Sequence, residues 1–215
     1  MKQKHVYFRA AGLLGAFALW TVLVSTVDVQ SIGPRGSAVG FATLNGWVHT
    51  LFGVHMSLYT VTDWLGLVPV AFGFGFAALG AVRWIKRRSI AKVDIRILVL
   101  GGFYLVVLAA YLFFESTVIN YRPVLINDYL EASYPSSTTL LTLCVMPTAR
   151  LQLNARIRNA TFRRIVASLI AAFSLFMVVG RLISGVHWIT DIVGGILLSS
   201  GLVELYRGVL GEKRV

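Results

Sequence analysis

The chain has 215 residues, of which 57% are hydrophobic and 13% charged, and its formal net charge is +11. A mean hydropathy of +0.76 excludes an ordinary soluble domain and indicates an integral membrane protein. The single cysteine, Cys144, excludes an intrachain disulfide.

Six apolar segments are predicted to be membrane-spanning helices. They lie at residues 8–27, 64–82, 97–114, 134–149, 165–180 and 188–206. A span needs about 20 mainly apolar residues, and fewer where the bilayer or neighbouring helices adapt. The fourth and fifth segments are short, and Pro147 is expected to bend or end the fourth. The sequence therefore predicts an all-α, polytopic membrane helix bundle that forms a single domain over residues 1–215.

The segment between the first two spans, residues 28–63, is mostly apolar but is interrupted by glycines. We predict that it lies along the outer membrane interface, with Trp47 and Tyr59 at headgroup depth. His49 and His55 are six residues apart, which suits neither one helix face nor a common zinc spacing. We therefore interpret them as interfacial histidines rather than metal ligands.

The basic residues are distributed unevenly along the chain. In the six-span topology, 17 of the 20 Lys and Arg residues fall on the side of the two termini, and only Arg35, Arg122 and Arg181 fall on the other. The positive-inside rule then predicts that both termini are cytoplasmic. Basic residues in short juxtamembrane loops orient the protein and attract anionic lipid heads. They are not interleaved with aromatic residues on a soluble face, so we expect a bilayer partner and no nucleic acid.

The stretch GRLISGVHWITD, residues 180–191, combines Arg181, His187 and Asp191. If a helix begins near His187, Asp191 lies one turn further along the same face. A carboxylate there holds one imidazole nitrogen as N–H and leaves the other free as a nucleophile. The planar guanidinium of Arg181 fits a phosphate group. The pattern thus predicts a phosphate-transfer site, and the alternative is a polar cluster at the end of a membrane helix.

Two further polar segments are predicted on the same outer side. The third span is followed by ESTVINYRP, which contains Arg122, and the fourth begins with YPSSTT, which contains Ser136, Ser137 and Thr138. A helix that opens with proline and hydroxyl residues presents free N–H groups and a positive dipole end, which suits an anion. Simple N-capping is the alternative interpretation. These four residues are candidate phosphate ligands.

Together the three segments resemble the type 2 phosphatidic acid phosphatase superfamily, whose signature is K-x6-R-P, then P-S-G-H, then S-R-x5-H-x3-D. The matching positions are Arg122-Pro123, Pro135-Ser136, Arg181, His187 and Asp191. The resemblance covers roughly residues 60–206 and implies a six-helix membrane fold. It also implies that His187 attacks phosphorus to form a phosphohistidine, that Asp191 orients it, and that the arginines and helix-start donors hold the phosphate. The resemblance implies no metal and no cofactor.

The chain departs from this signature at several positions. Glu115 stands in place of the first lysine, Ser137 and Thr138 in place of the Gly-His pair, and Gly180 in place of the third-motif serine. In the family, the histidine that Thr138 replaces here protonates the leaving group. Glu115 either pairs with Arg122, two turns away if that stretch is helical, or serves as a substitute acid; we favour the ion pair.

These features predict a multi-pass enzyme of the cell membrane that hydrolyses a lipid phosphate or lipid pyrophosphate at the extracytoplasmic face. A polyprenyl pyrophosphate, such as undecaprenyl pyrophosphate, is favoured because its phosphate leaving group departs unprotonated, whereas an alkoxide needs an acid. One alternative is a lipid phosphotransferase, in which an alcohol takes the phosphate. Another is a catalytically silent member that binds or translocates phospholipid. The sequence does not specify the lipid tail, the head group or the oligomeric state.

Overall fold

A computed structural model describes residues 2–89 and 92–211. Within these ranges the chain forms eight α-helices. They are α1 (Lys2–Thr26), α2 (Ala42–Phe52), α3 (Met56–Leu65), α4 (Leu67–Arg87), α5 (Ile95–Ser116), α6 (Ser137–Asn154), α7 (Ala160–Ile183) and α8 (Ile189–Leu210). The β-structure of the described ranges is limited to isolated bridges in the loops. The prediction of an all-α bundle is confirmed.

Five helical stretches of the described residues are long and apolar enough to cross a membrane. They are Gln3–Thr26, Met56–Arg87, Ile95–Ser116, Ala160–Ile183 and Ile189–Leu210. Large apolar side chains such as Leu19, Phe74, Leu105 and Leu169 are exposed on α1, α4, α5 and α7. Contiguous exposed apolar surface of this kind marks a face that lipid covers. The chain is therefore a multi-pass membrane protein.

Helix α6, the predicted fourth span, is not among these five stretches. It packs against α4, α5, α7 and α8 in the centre of the bundle, and it buries polar side chains that include Thr142, Thr148 and Gln152. A helix surrounded by other helices needs no lipid-facing apolar surface, which explains its lower hydropathy. The helix continues through Pro147 to Asn154. The six-span topology and the orientation of the termini stay predictions.

The helix ends differ from the predicted spans for two physical reasons. Helices α4, α5, α6 and α7 extend beyond the apolar segments because polar and charged residues outside a bilayer continue a helix as well as apolar ones do. Helix α6 begins at Ser137 rather than at position 134, since Ser136 is its N-cap and accepts a hydrogen bond from the Thr139 amide at 3.5 Å.

Within the 28–63 segment, α2 is amphipathic. Trp47 and Leu51 are exposed, whereas Asn45 and Val48 are buried against the bundle. The Asn45 side-chain amide donates to the Thr190 hydroxyl at 3.0 Å, and its carbonyl oxygen accepts from the Thr190 amide at 3.3 Å. Asn45 therefore joins α2 to the first turn of α8. The interfacial position of the segment stays a prediction.

The other residues singled out in this segment pack onto neighbouring helices or lie exposed. The Tyr59 ring lies 4.9 Å from the guanidinium carbon of Arg181, so it packs against the end of α7. The His49 ring packs on the Trp188 indole at 5.5 Å between centroids. The exposed His55 ring contacts the Phe52 carbonyl at 2.8 Å. Both histidines thus have local structural contacts.

Candidate active site

His187 and Asp191 meet at the start of α8, where both side chains are buried. His187 Nδ1 lies 3.6 Å from Asp191 Oδ2, and His187 Nε2 lies 3.5 Å from Arg122 Nη1. The structure thus brings together the histidine and carboxylate whose spacing the sequence singled out, together with an arginine 65 positions earlier in the chain. One ring nitrogen faces the carboxylate, and the other faces the guanidinium.

The Asp191 carboxylate is held by two donors besides its histidine neighbour. The Trp188 amide donates to Oδ2 at 2.9 Å, and the Asn120 side-chain amide donates to Oδ1 at 3.4 Å. Asn120 is itself buried and accepts from the Gly40 amide at 3.4 Å. Asp191, in the first turn of α8, therefore caps the backbone amide of the N-cap residue Trp188 and is a fixed electrostatic partner for the imidazole. Asn120 is a site residue that the sequence did not single out.

The turn that carries His187 depends on Gly185. This residue has φ +69°, a left-handed conformation that glycine adopts without strain. A Cβ atom here would lie 2.0 Å from the Gly53 carbonyl oxygen. The 184–188 loop can thus pack directly against the loop between α2 and α3, and this contact closes one side of the site.

Burial lowers the pKa of His187 well below its ordinary value of 6.5. The positive charges of Arg122 and Arg181 lower this pKa further, and a hydrogen bond with the Ser133 backbone opposes the shift. The imidazole is therefore neutral at physiological pH. A neutral ring keeps a lone pair, which is the form that a nucleophilic histidine needs.

Arg122 is fixed by the loop that follows it. Its Nε lies 3.0 Å from Glu131 Oε2, with 10% of the arginine side chain exposed, and its backbone amide donates to the Glu131 carbonyl. The favoured ion pair with Glu115 is therefore wrong. Helix α5 ends at Ser116, so the chain between positions 115 and 122 is not helical and the two-turn spacing does not apply. Glu115 instead lines a narrow crevice beside Tyr134 and Pro135.

Arg181, at the end of α7, joins α6 to α3. Its Nη2 donates to Thr138 Oγ1 at 2.7 Å and to Asp63 Oδ1 at 3.1 Å, and its Nη1 donates to Thr62 Oγ1 at 3.3 Å. Its side chain is 2% exposed, whereas that of Asp63 is 57% exposed. Asp63 thus lies at the mouth of the site. No motif in the sequence points to Asp63, although it is the only acidic residue between positions 29 and 93.

The first turn of α6 forms the remaining wall of the site. The Ser136 amide donates to the Asp191 backbone carbonyl at 3.1 Å, which ties α6 to α8. Ser136 is fully buried, while Ser137 and Thr138 are partly exposed. First-turn amides have no intrahelical partner, and the helix dipole makes this end positive. The structure therefore assembles a neutral imidazole, two guanidinium groups and a helix N-terminus, a set of groups that suits a phosphate ester.

Comparisons with known proteins agree with this arrangement. A family model described as the PAP2 superfamily matches residues 110–211. This range contains all three motif segments, the first of which begins at Glu115. The crystal structure of a transmembrane PAP2-type phosphatidylglycerolphosphate phosphatase from Bacillus subtilis has the same fold. Its TM-score is 0.56 at 16% sequence identity, and the match covers 96% of this chain and 98% of that chain. None of the curated proteins matches this chain. The resemblance predicted from the motifs is confirmed.

Proposed function

We propose that the chain, whose residues 110–211 match the model of the PAP2 superfamily, is a membrane lipid phosphatase that works through a phosphohistidine on His187. The observation that supports this most is the buried imidazole between Asp191 and Arg122. A neutral nucleophile, a carboxylate that orients it and an arginine beside its free nitrogen are the groups that phosphoryl transfer to a side chain requires.

In the first step, His187 Nε2 attacks the phosphorus. A P–N bond forms and the bond from phosphorus to the leaving oxygen breaks. The imidazole becomes positively charged, and the Asp191 carboxylate stabilises that charge through Nδ1–H. Arg122 and Arg181 stabilise the negative charge on the phosphoryl oxygens, helped by the amides of the first turn of α6.

In the second step, water attacks the phosphohistidine. The new P–O bond forms, the P–N bond breaks, and inorganic phosphate leaves while His187 returns to its neutral form. The water gives up a proton to a carboxylate at the mouth of the site. Asp63 is suited to accept it, since its exposed carboxylate lies 3.1 Å from the guanidinium that binds the phosphate.

We propose that the substrate is a polyprenyl pyrophosphate, such as undecaprenyl pyrophosphate, rather than a lipid monophosphate. Thr138 stands where the superfamily has its acid, and its hydroxyl cannot protonate an alkoxide at neutral pH. A pyrophosphate expels a phosphate monoester, whose second pKa is about 6, so this group leaves without a proton. Thr138 Oγ1 already accepts a hydrogen bond from Arg181 and therefore offers its own hydrogen to a substrate oxygen.

A phosphate-release assay tests the activity. The purified protein is incubated with phosphatidic acid, phosphatidylglycerophosphate and polyprenyl pyrophosphate, with His187→Ala as the control. We expect release from at least one lipid and none from the variant. Transfer of phosphate to an added alcohol without net release would indicate a phosphotransferase. Lipid binding with neither release nor transfer would indicate a silent member of the family.

We propose further that the site faces away from the cytoplasm of the cell membrane. The uneven distribution of the basic residues supports this orientation. A cysteine introduced in 124–132, on a Cys144→Ser background, should react with an impermeant maleimide in intact cells, whereas one in 151–160 should not. Labelling in the opposite pattern would invert the orientation and leave the proposed chemistry untouched.

A further inference from the structure

A cavity of about 200 Å³ lies between the second half of α6, the middle of α7 and the end of α8. Its polar lining includes Arg150, Asn154 and Arg207, and its apolar wall includes Pro147, Leu151 and Ile170. Arg150 follows Ser137 by 13 positions on the same helix, which at 1.5 Å per residue places it roughly 20 Å from the start of α6. The cavity is therefore separate from the candidate active site and lies towards the opposite end of the bundle.

The cavity carries an excess of positive charge. Arg207 Nη1 lies 3.0 Å from Glu204 Oε1, so one of the two guanidinium groups has a carboxylate partner. Among the described residues, the Arg150 side chain forms no hydrogen bond and no ion pair. Two arginines that face one cavity repel each other unless an anion lies between them. The lining thus favours an anionic occupant.

Two of the cavity-lining side chains also have a buried polar atom without a hydrogen-bond partner. Arg207 Nε and Asn154 Oδ1 are inaccessible to solvent, and neither has a hydrogen-bond partner in the described part of the chain. A buried polar atom without a partner costs roughly 1–3 kcal/mol. The Asn154 amide can present either its oxygen or its NH₂ group to a ligand. Ser174, by contrast, already donates to the Ile170 carbonyl.

We propose that this cavity binds the phosphate head group of an anionic phospholipid from the cytoplasmic leaflet. The guanidinium groups of Arg150 and Arg207 contact the phosphate, and the NH₂ group of Asn154 donates to it, since planar guanidinium groups match phosphate oxygens. The Pro147, Leu151 and Ile170 side chains offer an apolar surface to the upper part of an acyl chain. The leaflet follows from the proposed orientation, but the binding chemistry does not depend on catalysis.

Thermal unfolding of the purified protein in neutral detergent tests this site. The probes are phosphatidylglycerol, phosphatidylcholine and inorganic phosphate, each added to the wild type, Arg150→Gln and Arg158→Gln. Arg158 is the matched control, since it is an exposed arginine near the same end of the bundle that does not line the cavity. We expect phosphatidylglycerol to raise the Tm of the wild type and of Arg158→Gln by several degrees, and to raise that of Arg150→Gln much less.

A second variant, Ala171→Phe, fills the cavity without changing its charge, because Ala171 lines it. This variant should lose the shift as well, which separates loss of the cavity from loss of a charge. An equal shift in Arg150→Gln and the wild type would overturn the proposal, and so would equal losses in Arg150→Gln and Arg158→Gln. If inorganic phosphate gives the same shift as phosphatidylglycerol, the occupant is a free ion and the lipid assignment is wrong. Because unfolding is measured rather than turnover, these outcomes are independent of the proposed catalytic activity.

Discussion

The two ends of the helix bundle differ in how deeply their arginine side chains are buried. At the end where α6 and α8 begin, the side chains of Arg122 and Arg181 are only 10% and 2% exposed. At the other end, Arg158 is exposed, and Arg83 forms an ion pair with Asp94 in which each side chain is about one-third exposed. Burying a charge is costly unless fixed partners compensate for it. The few buried arginines therefore lie at the candidate active site, whereas the many exposed ones fit the role of orienting the chain in the membrane.

Removing the nucleophile should have the largest effect on activity. His187→Ala is expected to lower kcat by at least about 10³-fold, because no other group lies in position to form the phosphoenzyme. Asp191→Asn should lower kcat by a smaller factor. The double variant should be about as inactive as His187→Ala alone, since the two residues act as one unit. Phosphate release measured for the three variants tests this, and wild-type activity in His187→Ala would refute the role of the histidine.

The leaving-group preference should have the next largest effect. A polyprenyl pyrophosphate is expected to exceed its monophosphate in kcat/KM by about 10²–10⁴-fold, the usual contribution of a general acid. Thr138→His should restore part of the monophosphate activity. If the monophosphate is the better substrate and Thr138→His changes nothing, a carboxylate such as Glu115, Asp128 or Glu131 supplies the proton instead.

Conservative substitution distinguishes the buried arginines from the exposed ones. Arg122→Lys and Arg181→Lys should each lower kcat/KM by roughly 10²-fold, since lysine keeps the charge but loses the planar fork that holds a phosphoryl group. Arg158→Lys at the other end should leave kcat/KM unchanged. Unaltered kinetics in both Arg122→Lys and Arg181→Lys would mean that these arginines do not bind the phosphate and only help to orient the chain in the membrane.

The motifs predict the part of the site that depends on short spacing. The His187–Asp191 contact follows from one helical turn, and Arg181 lies close by in sequence. The sequence cannot reveal Asp63, which reaches Arg181 from a helix 118 positions away, because such contacts depend on tertiary packing. The Glu115–Arg122 expectation failed for a related reason, since it assumed a helix that ends at Ser116.

The fold shows the same division between local and long-range information. Apolar length predicts the lipid-facing helices, because lipid selects for it directly. Helix α6 is enclosed by its neighbours and buries Gln152, whose side-chain amide donates to the Tyr206 hydroxyl at 2.7 Å. Hydropathy is therefore least informative for α6, the helix whose first turn forms part of the candidate active site.

A smaller effect should appear in the dependence of stability on pH. The pKa of His187 is lowered in the folded state, so the unfolded chain takes up a proton first as the pH falls. The neutral histidine therefore costs no stability above pH 6.5, and stability is lost as the pH falls below that value, by at most about 1.4 kcal/mol per pH unit.

The measurement compares the free energy of unfolding at pH 7.5 and pH 5.5 for the wild type and His187→Gln. The variant should lose less stability than the wild type on acidification. Equal losses in the two proteins would show that His187 titrates normally when folded and is not the neutral, buried group described above.

The most direct test is to trap the phosphoenzyme. The protein is mixed with a polyprenyl pyrophosphate labelled in its terminal phosphate, quenched within milliseconds in alkaline denaturant, and mapped by mass spectrometry. We predict phosphate on His187 that is stable in base and lost in acid, as a phosphoramidate is. Asp63→Asn should accumulate more of it if that carboxylate accepts the proton of the attacking water. Active enzyme with no phosphate on His187, or with phosphate on another side chain, would contradict the proposed mechanism.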